Sequence, residues 1–385
     1  MTVPTTRPHP PDTDPCRIVV RGVNWLGDAV MTTPALRRLR ERFADAEIVL
    51  LTHEKLAGLW PGHPSVDRVL TFGGKEGVWS VAHRLRAERA GLALLLPNSP
   101  RSGLEAWLAR IPRRVGGTWP WRDRMLTDVV PTAPGITTMR KRSAAEIARL
   151  VGGSGEAASP PPSPSSHQVH HYLRLIGHLG GDVTPVAPHL HVAPAELGGV
   201  RAKFGLHPDT TWIGLNAGAE YGPAKRWPKD RFIAAAPQLH GRIGCGFAIF
   251  GGKADAALAD ETAVGIESLG VPRSALRVLA GRTSLRELCA ALAACHVVLT
   301  NDTGPMHVAA AVGTQVVVPF GSTSPELTGP GLPGDARHRL LRTAVPCAPC
   351  FLRECPIDLR CMAGITTDHV VDAVVRVVQG AGTTR

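Results

Sequence analysis

The sequence predicts an α/β protein built from two doubly wound parallel sheets. Short β-branched apolar runs alternate with amphipathic helical stretches in both halves of the chain, the pattern of parallel strands joined by crossover helices. The 385 residues exceed one ordinary core, so two domains are expected. A stretch marked by Pro185, Pro188 and Pro194 cannot continue either pattern and places the boundary near residue 190.

In the first half, Arg17–Arg21 reads as a strand and Gly22–Gly27 as a loop. Asp28–Phe43 reads as one amphipathic helix, apolar at Val30, Ala35, Leu36, Leu39 and Phe43. Its basic C-terminal half suits the helix dipole. Glu47–Thr52, Val66–Phe72 and Leu92–Leu96 read as further strands, and Val78–Arg89 as a helix. Ligands of such sheets bind beyond the carboxyl ends of the strands, and Asp28, Asn98 and Arg101 each follow a strand end. Residues 152–166 are Gly-, Ser- and Pro-rich and predict a flexible insert. His167–Leu179 then resumes as a helix.

In the second half, Trp212–Asn216 predicts a strand leading to Ala217–Trp227, and Pro228 opens a helix. Phe247–Phe250 and Leu276–Leu279 are strands, each followed by a helix, the second capped from Gly281–Ser284. His296–Thr300 is a buried strand. The polar turn Asn301-Asp302-Thr303-Gly304 follows, and Pro305 sits where a helix tolerates proline best. A strand that passes through a Gly-containing turn into a helix aims free N–H groups at one point, which suits a phosphate. The plainer alternative is an ordinary corner with Asp302 or Thr303 as N-cap. Gln315–Phe320 is the next strand, and Thr366–Gln379 a last amphipathic helix.

Composition bounds the function. Hydrophobic residues make up 44% and charged residues 19%, enough apolar material for both cores; 43 Lys and Arg against 32 Asp and Glu give a net charge of +11. That balance points to a polyanionic partner: nucleic acid, an anionic membrane face or phosphorylated substrates. No apolar run is long enough to span a bilayer, and residues 1–15 lack the apolar centre of a signal peptide. We expect a disordered tail on a cytoplasmic protein. Of the eight cysteines, Cys347, Cys350, Cys355 and Cys361 cluster within fifteen residues. They are candidates for zinc or an iron–sulfur cluster, or for structural thiols. No Walker A and no GxGxxG sequence is present, which argues against a kinase, an ATPase or an ordinary dehydrogenase.

Four segments together resemble glycosyltransferase family 9, the ADP-heptose–lipopolysaccharide heptosyltransferases. They are Gly22-Val-Asn-Trp-Leu-Gly-Asp-Ala-Val30, Gly218-Ala-Glu-Tyr-Gly-Pro-Ala-Lys-Arg-Trp-Pro228, Leu279-Ala-Gly-Arg-Thr-Ser-Leu285 and Thr300-Asn-Asp-Thr-Gly-Pro-Met-His-Val308. The resemblance runs from about Arg17 to Gln379. It implies a GT-B architecture, with an acceptor-side Rossmann-like domain at 16–190 and a nucleotide-sugar domain at 191–365 across a cleft. A final helix within 366–385 would return to the first domain. It further implies inverting heptose transfer from ADP-heptose to a lipid A–core glycolipid, with no cofactor and no metal in the chemistry. The enzyme would work on the cytoplasmic membrane face, and nucleic acid is not expected as a partner.

Such a reaction needs a base for the acceptor hydroxyl and positive groups for the departing diphosphate. Asp28 matches the family's Gly-Asp and is the candidate base; N-capping is its plain alternative. Lys225 is the candidate for the diphosphate oxygens, against a solvated loop lysine. Thr303 and Gly304 would cradle the diphosphate beside His307, which could otherwise be a core histidine. Asp302 would brace the turn. Thr283 would lie near the adenosine and Asp255 near the ribose, and Asn98 and Arg101 would face the acceptor. Two rival readings remain: a family 9 transferase for another sugar nucleotide or envelope glycan, and a catalytically silent protein that binds nucleotide sugar or nucleic acid.

Overall fold

In the computed structural model, which describes residues 14–153 and 162–381, the expected alternation forms two six-stranded, all-parallel sheets. Residues 1–13, most of the expected tail, and 154–161 of the expected insert lie outside the described residues. The first sheet comprises β1 (Arg17–Arg21), β2 (Glu47–His53), β3 (Arg68–Phe72), β4 (Leu92–Leu95), β5 (Arg113–Gly117) and β6 (Asp128–Val130), in the order β3-β2-β1-β4-β5-β6. The order reverses between β1 and β4, which makes a switch point. Ile18, Val19, Ile48, Val49 and Leu94 are fully buried, because strands covered on both faces need continuous apolar runs.

The helices here are α1 (Leu26–Met31), α2 (Thr33–Arg42), α3 (Val78–Ala87) and α4 (Pro100–Leu108). The single helix expected over Asp28–Phe43 is two. Pro34 lies in the first turn of α2 and has no N–H to continue the preceding ladder. The Thr32 and Thr33 hydroxyls instead donate to the carbonyls of Ala29 (2.6 Å) and Val30 (2.8 Å). Strands β5 and β6 were not expected, since β5 opens on two arginines and β6 has only three residues.

By packing, the first unit takes residues up to Ile136 together with Val169–Val186; Thr137–Gln168 and Ala187 onward form the second. The last crossing between the units lies between Val186 and Ala187. The segment from Thr137, including α5 (Ala144–Gly152), belongs to the second unit. Arg142 fastens it there, its backbone N–H donating to Cys350 O (3.0 Å) and its Nη1 to Pro346 O (2.8 Å). Helix α6 (Gln168–His178) returns to the first unit.

The second unit continues with α7 (Pro194–Phe204), β7 (Trp212–Asn216), α8 (Lys229–Ile243), β8 (Gly246–Ile249), α9 (Ala256–Ser268), β9 (Leu276–Val278), α10 (Leu285–Ala293) and β10 (Val297–Thr300). Then come α11 (Gly304–Ala311), β11 (Gln315–Phe320), α12 (Pro325–Thr328), β12 (Arg339–Arg342), α13 (Arg360–Ala363) and α14 (Thr367–Ala381). Strand order is β12-β11-β10-β7-β8-β9. Helix α14 packs on α8, β10 and β11 of its own unit. Its stripe of Val370, Val371, Val374 and Val375 is buried in the same core as Phe232 and Leu239 of α8.

Register aligns the strand ends. Arg21 pairs with Leu95 and Leu95 with Gly116 in the first sheet. In the second, Thr300 pairs with Asn216, Leu215 with Ile249 and Ile249 with Val278. The loops that follow these residues therefore gather along one edge of each sheet.

Candidate active site

On the second unit, the edge carries the loops after β7, β8, β9, β10 and β11, which hold nearly every residue expected on the donor side. At their centre, Lys225 Nζ lies 2.6 Å from Asp302 Oδ2. The pair is largely dry, with side chains 14% and 4% exposed. The Thr323 hydroxyl donates to the same Asp302 oxygen at 2.6 Å. Lys225 Nζ also stands 5.0 Å from the centre of the Tyr221 ring, a cation–π contact. Lys225 is thus a pinned lysine rather than a solvated loop residue, and Asp302 is the brace that pins it.

The loop carrying Lys225 is held from several sides. Asn301, fully buried, donates from Nδ2 to Ala217 O (2.8 Å), and its Oδ1 accepts from Trp227 N–H (2.9 Å). Trp227 Nε1 donates to Ile365 O (2.9 Å), and Tyr221 Oη to Phe351 O (2.9 Å). Asn301 and Thr323 were missed as site residues. The position of Asn301 directly before Asp302 was the available signal; nothing in sequence links Thr323, after β11, to the turn.

Thr303 is the N-cap residue of α11, with extended backbone and no capping bond from its side chain. Gly304 opens the helix and Pro305 follows, one position later than expected. Thr303 and Gly304 are half-buried. The first N–H groups of α11 and the Thr303 hydroxyl are suited to phosphate oxygens. His307 lies one turn in and is buried. Burial chiefly, with Lys225 and His167 adding, pushes its pKa down to about 4 against the pull of Asp302. Its imidazole is neutral at physiological pH.

Asp255 lies at the start of α9, and its carboxylate accepts from Gly252 N–H (3.1 Å). It packs so closely on Gly218 that a Cβ there would meet the carboxylate at 2.8 Å. Thr283 sits half-buried on the adjoining loop, where Gly281 N–H donates to Gly251 O (3.0 Å).

On the first unit, Asp28 is half-buried in the first turn of α1, directly after β1. The N-cap of α1 is Trp25, and Asp28 is the third residue of the helix. Asn98 follows β4 and joins a part-buried hydrogen-bond network. Its Oδ1 accepts from Arg122 Nη1 (3.0 Å), and its Nδ2 is 3.4 Å from His171 Nε2. Burial, with Arg174 and Arg122 adding, lowers the His171 pKa to about 4. Arg101 is committed within the unit, donating to Glu105 Oε1 (2.7 Å) and Glu76 O (2.7 Å).

Cys347, Cys350, Cys355 and Cys361 line one small apolar cavity of about 10 Å³ with Ile147 and Ala224. All four are free thiols, and burial plus neighbouring thiols raise the Cys361 pKa to about 11. Among the described residues, no three His, Cys, Asp or Glu side chains form a metal-holding group.

Two doubly wound sheets, one edged by loops suited to a diphosphate, make up the GT-B fold. The chain belongs to glycosyltransferase family 9, the heptosyltransferase family, whose signature covers residues 155–360. Lipopolysaccharide heptosyltransferase 2 of Salmonella typhimurium is 30% identical over 325 residues, covering 82% of this chain and 85% of that protein. The solved structure of E. coli ADP-heptose lipopolysaccharide heptosyltransferase II superposes with a TM-score of 0.73 at 26% identity, over 95% of this chain and 99% of that one. A family 9 glycosyltransferase from Veillonella parvula shares the fold, with a TM-score of 0.74 at 23% identity over 94% and 97% of the two chains.

Proposed function

We propose that this chain transfers heptose, with inversion, from ADP-heptose to a heptose of the lipopolysaccharide inner core. The observation that carries the reading is the pinned Lys225–Asp302 pair beside the Thr303–Gly304 turn, in a family 9 chain whose relatives are heptosyltransferases.

In this reading the second unit holds the donor. Lys225, the N–H groups at the start of α11 and the Thr303 hydroxyl take the diphosphate oxygens and stabilise the charge that grows as ADP departs. Asp302 and Thr323 keep the ammonium aimed. Neutral His307 can hydrogen-bond a phosphate oxygen without adding charge. Asp255 and Thr283 stand where ribose and adenine would lie. The first unit presents the acceptor. Its hydroxyl oxygen bonds to the anomeric carbon, the bond from that carbon to the diphosphate oxygen breaks, and Asp28 takes the hydroxyl proton. Asn98 orients the acceptor; Arg101, already paired, helps shape that edge. No helix among the described residues is long and apolar enough to cross a membrane. The net charge of +11 fits a peripheral enzyme on an anionic, cytoplasmic membrane face.

Incubation with ADP-heptose and core glycolipids, followed by mass spectrometry, tests the reading. One heptose added per acceptor, with ADP released, is expected. A sugar-nucleotide panel in which another donor is preferred would favour the second family 9 reading. Salt-sensitive nucleic-acid binding without transfer would favour the silent one.

A further inference from the structure

Five of the eight tryptophans are exposed, and all five belong to the first unit: Trp25 (46%), Trp79 (75%), Trp107 (50%), Trp119 (49%) and Trp121 (74%). Both tryptophans of the second unit, Trp212 and Trp227, are buried. Indoles are large enough that a fold ordinarily uses them for its core or for an interface.

Four of the five share one face. Helix α3 packs on α4, and α4 on the short turn Arg122–Met125. These elements carry Trp79, Trp107 and the Trp119-Pro120-Trp121 loop. On α3 the inward stripe is Val81, Ala82 and Leu85; on α4 it is Ser102, Gly103, Glu105 and Ala106. The tryptophans point the other way.

The loop is built to hold its indoles out. Arg122 is completely buried and donates to Gly117 O (2.7 Å), Leu95 O (3.2 Å) and Asn98 Oδ1 (3.0 Å). Asp123 accepts from the Thr118 hydroxyl and from Trp119 N–H, both at 2.8 Å. Trp121, between these anchors, is held at φ +67°, a left-handed backbone that a bulky side chain rarely adopts.

The charge around these indoles has one sign. Between Gly73 and Thr127 the exposed ionised residues are Lys75, Arg86, Arg89, Arg110 and Arg124. Glu76, Glu88, Glu105 and Asp123 of the same stretch are all at least half-buried. Arg124 lies over Trp121, 5.1 Å from the ring centre.

We propose that this face of the first unit docks the enzyme on an anionic lipid bilayer, with Trp79, Trp107, Trp119 and Trp121 lodged at headgroup depth and the five cations on lipid phosphates. Indoles favour that depth because one side of the ring system is apolar and the N–H needs a polar partner. Basic side chains add attraction to anionic headgroups. Four indoles spread over two helices and a loop are too dispersed to stack on a single sugar, and the cations beside them match lipid phosphates. The inference rests on the reading of a lipid-borne acceptor and names the surface that would bring the enzyme to it.

The test uses the full chain with vesicles of phosphatidylethanolamine alone or mixed with phosphatidylglycerol, without glycolipid. Co-sedimentation and a blue shift of indole emission are expected on the mixed vesicles only, weakening with salt. Trp119→Ser/Trp121→Ser should bind about ten-fold more weakly and keep wild-type turnover on a delipidated, soluble acceptor. Trp79→Ser/Trp107→Ser, which leaves both inward stripes intact, should behave alike and covers the case of a loop variant that misfolds. Arg110→Glu/Arg124→Glu should abolish the preference for phosphatidylglycerol. Wild-type vesicle binding by all three variants overturns the proposal, as does binding of delipidated core oligosaccharide or a protein through these indoles without vesicle binding. Vesicle binding without transfer to either acceptor would sink the functional reading and leave the docking face standing.

Discussion

Removing the Asp302 carboxylate should strand Lys225. The two are 2.6 Å apart with side chains only 14% and 4% exposed, so neither charge is well hydrated. Breaking a buried pair by deleting one partner costs about 3–5 kcal/mol, because the survivor stays buried and uncompensated. The partial exposure of Lys225 gives its ammonium a path to water, which places Asp302→Ala near about 3 kcal/mol. Replacing the pair with apolar groups is nearly neutral by comparison. Lys225→Met/Asp302→Ala should therefore recover about 2 kcal/mol of that loss, while both variants lose transfer activity. Urea unfolding of the wild type, the two single variants and the double variant measures the coupling directly. If the single effects simply add, within about 0.5 kcal/mol, Asp302 does not hold Lys225 and the argument for a pinned ammonium fails.

Other consequences are testable in the same way. His307 and His338 are both buried, with pKa values pushed down to about 4, chiefly by burial. In the unfolded chain they bind protons near the ordinary pKa of about 6.5. Between those values the unfolded state holds more protons, so stability falls as pH drops, by up to about 1.4 kcal/mol per pH unit for each group. His307→Gln should flatten the slope between pH 6.5 and pH 5 by about that amount; an unchanged slope would show that His307 takes up protons alike in the folded and unfolded states. At Gly222, φ is +157° and an added Cβ would lie 2.5 Å from the Arg353 carbonyl oxygen. Gly222→Ala should cost about 1–3 kcal/mol and weaken donor binding by displacing the Lys225 loop, read by thermal unfolding and calorimetric titration with ADP. Lys225→Met should slow transfer by more than it weakens binding of adenosine alone, because the ammonium acts on the diphosphate; equal losses would place Lys225 elsewhere.

Much of the second unit was legible because its chemistry is local. The strand–turn–helix through Thr300–Val308 and the loop to Trp227 carry their glycines, prolines and charges in short order. The structure brings both to one sheet edge. The links between them were not legible. Asn301 ties the β10 turn to the β7 loop across 84 positions of sequence, and Thr323 reaches Asp302 from a third loop. In the first unit, two adjacent arginines give no strand signal, yet Arg113 and Arg114 open β5, with Arg113 on Asp128 and Arg114 on the backbone carbonyls of Met125 and Ile111. The break at Pro34 was readable in principle from its missing N–H, but the apolar period runs through it unbroken. Helix α14 shows the limit of periodicity: its valine stripe announced a buried face, and only packing could say that α8 covers it.

The most direct test of the central claim is a comparison of donor binding and transfer in Asp28→Asn. The substitution keeps the shape of the side chain and removes the base. Calorimetric titration with ADP-heptose should give a wild-type dissociation constant, while single-turnover transfer to the core glycolipid falls by about 10²-fold or more. Transfer at the wild-type rate, with the product carrying heptose in the inverted configuration, would contradict the account.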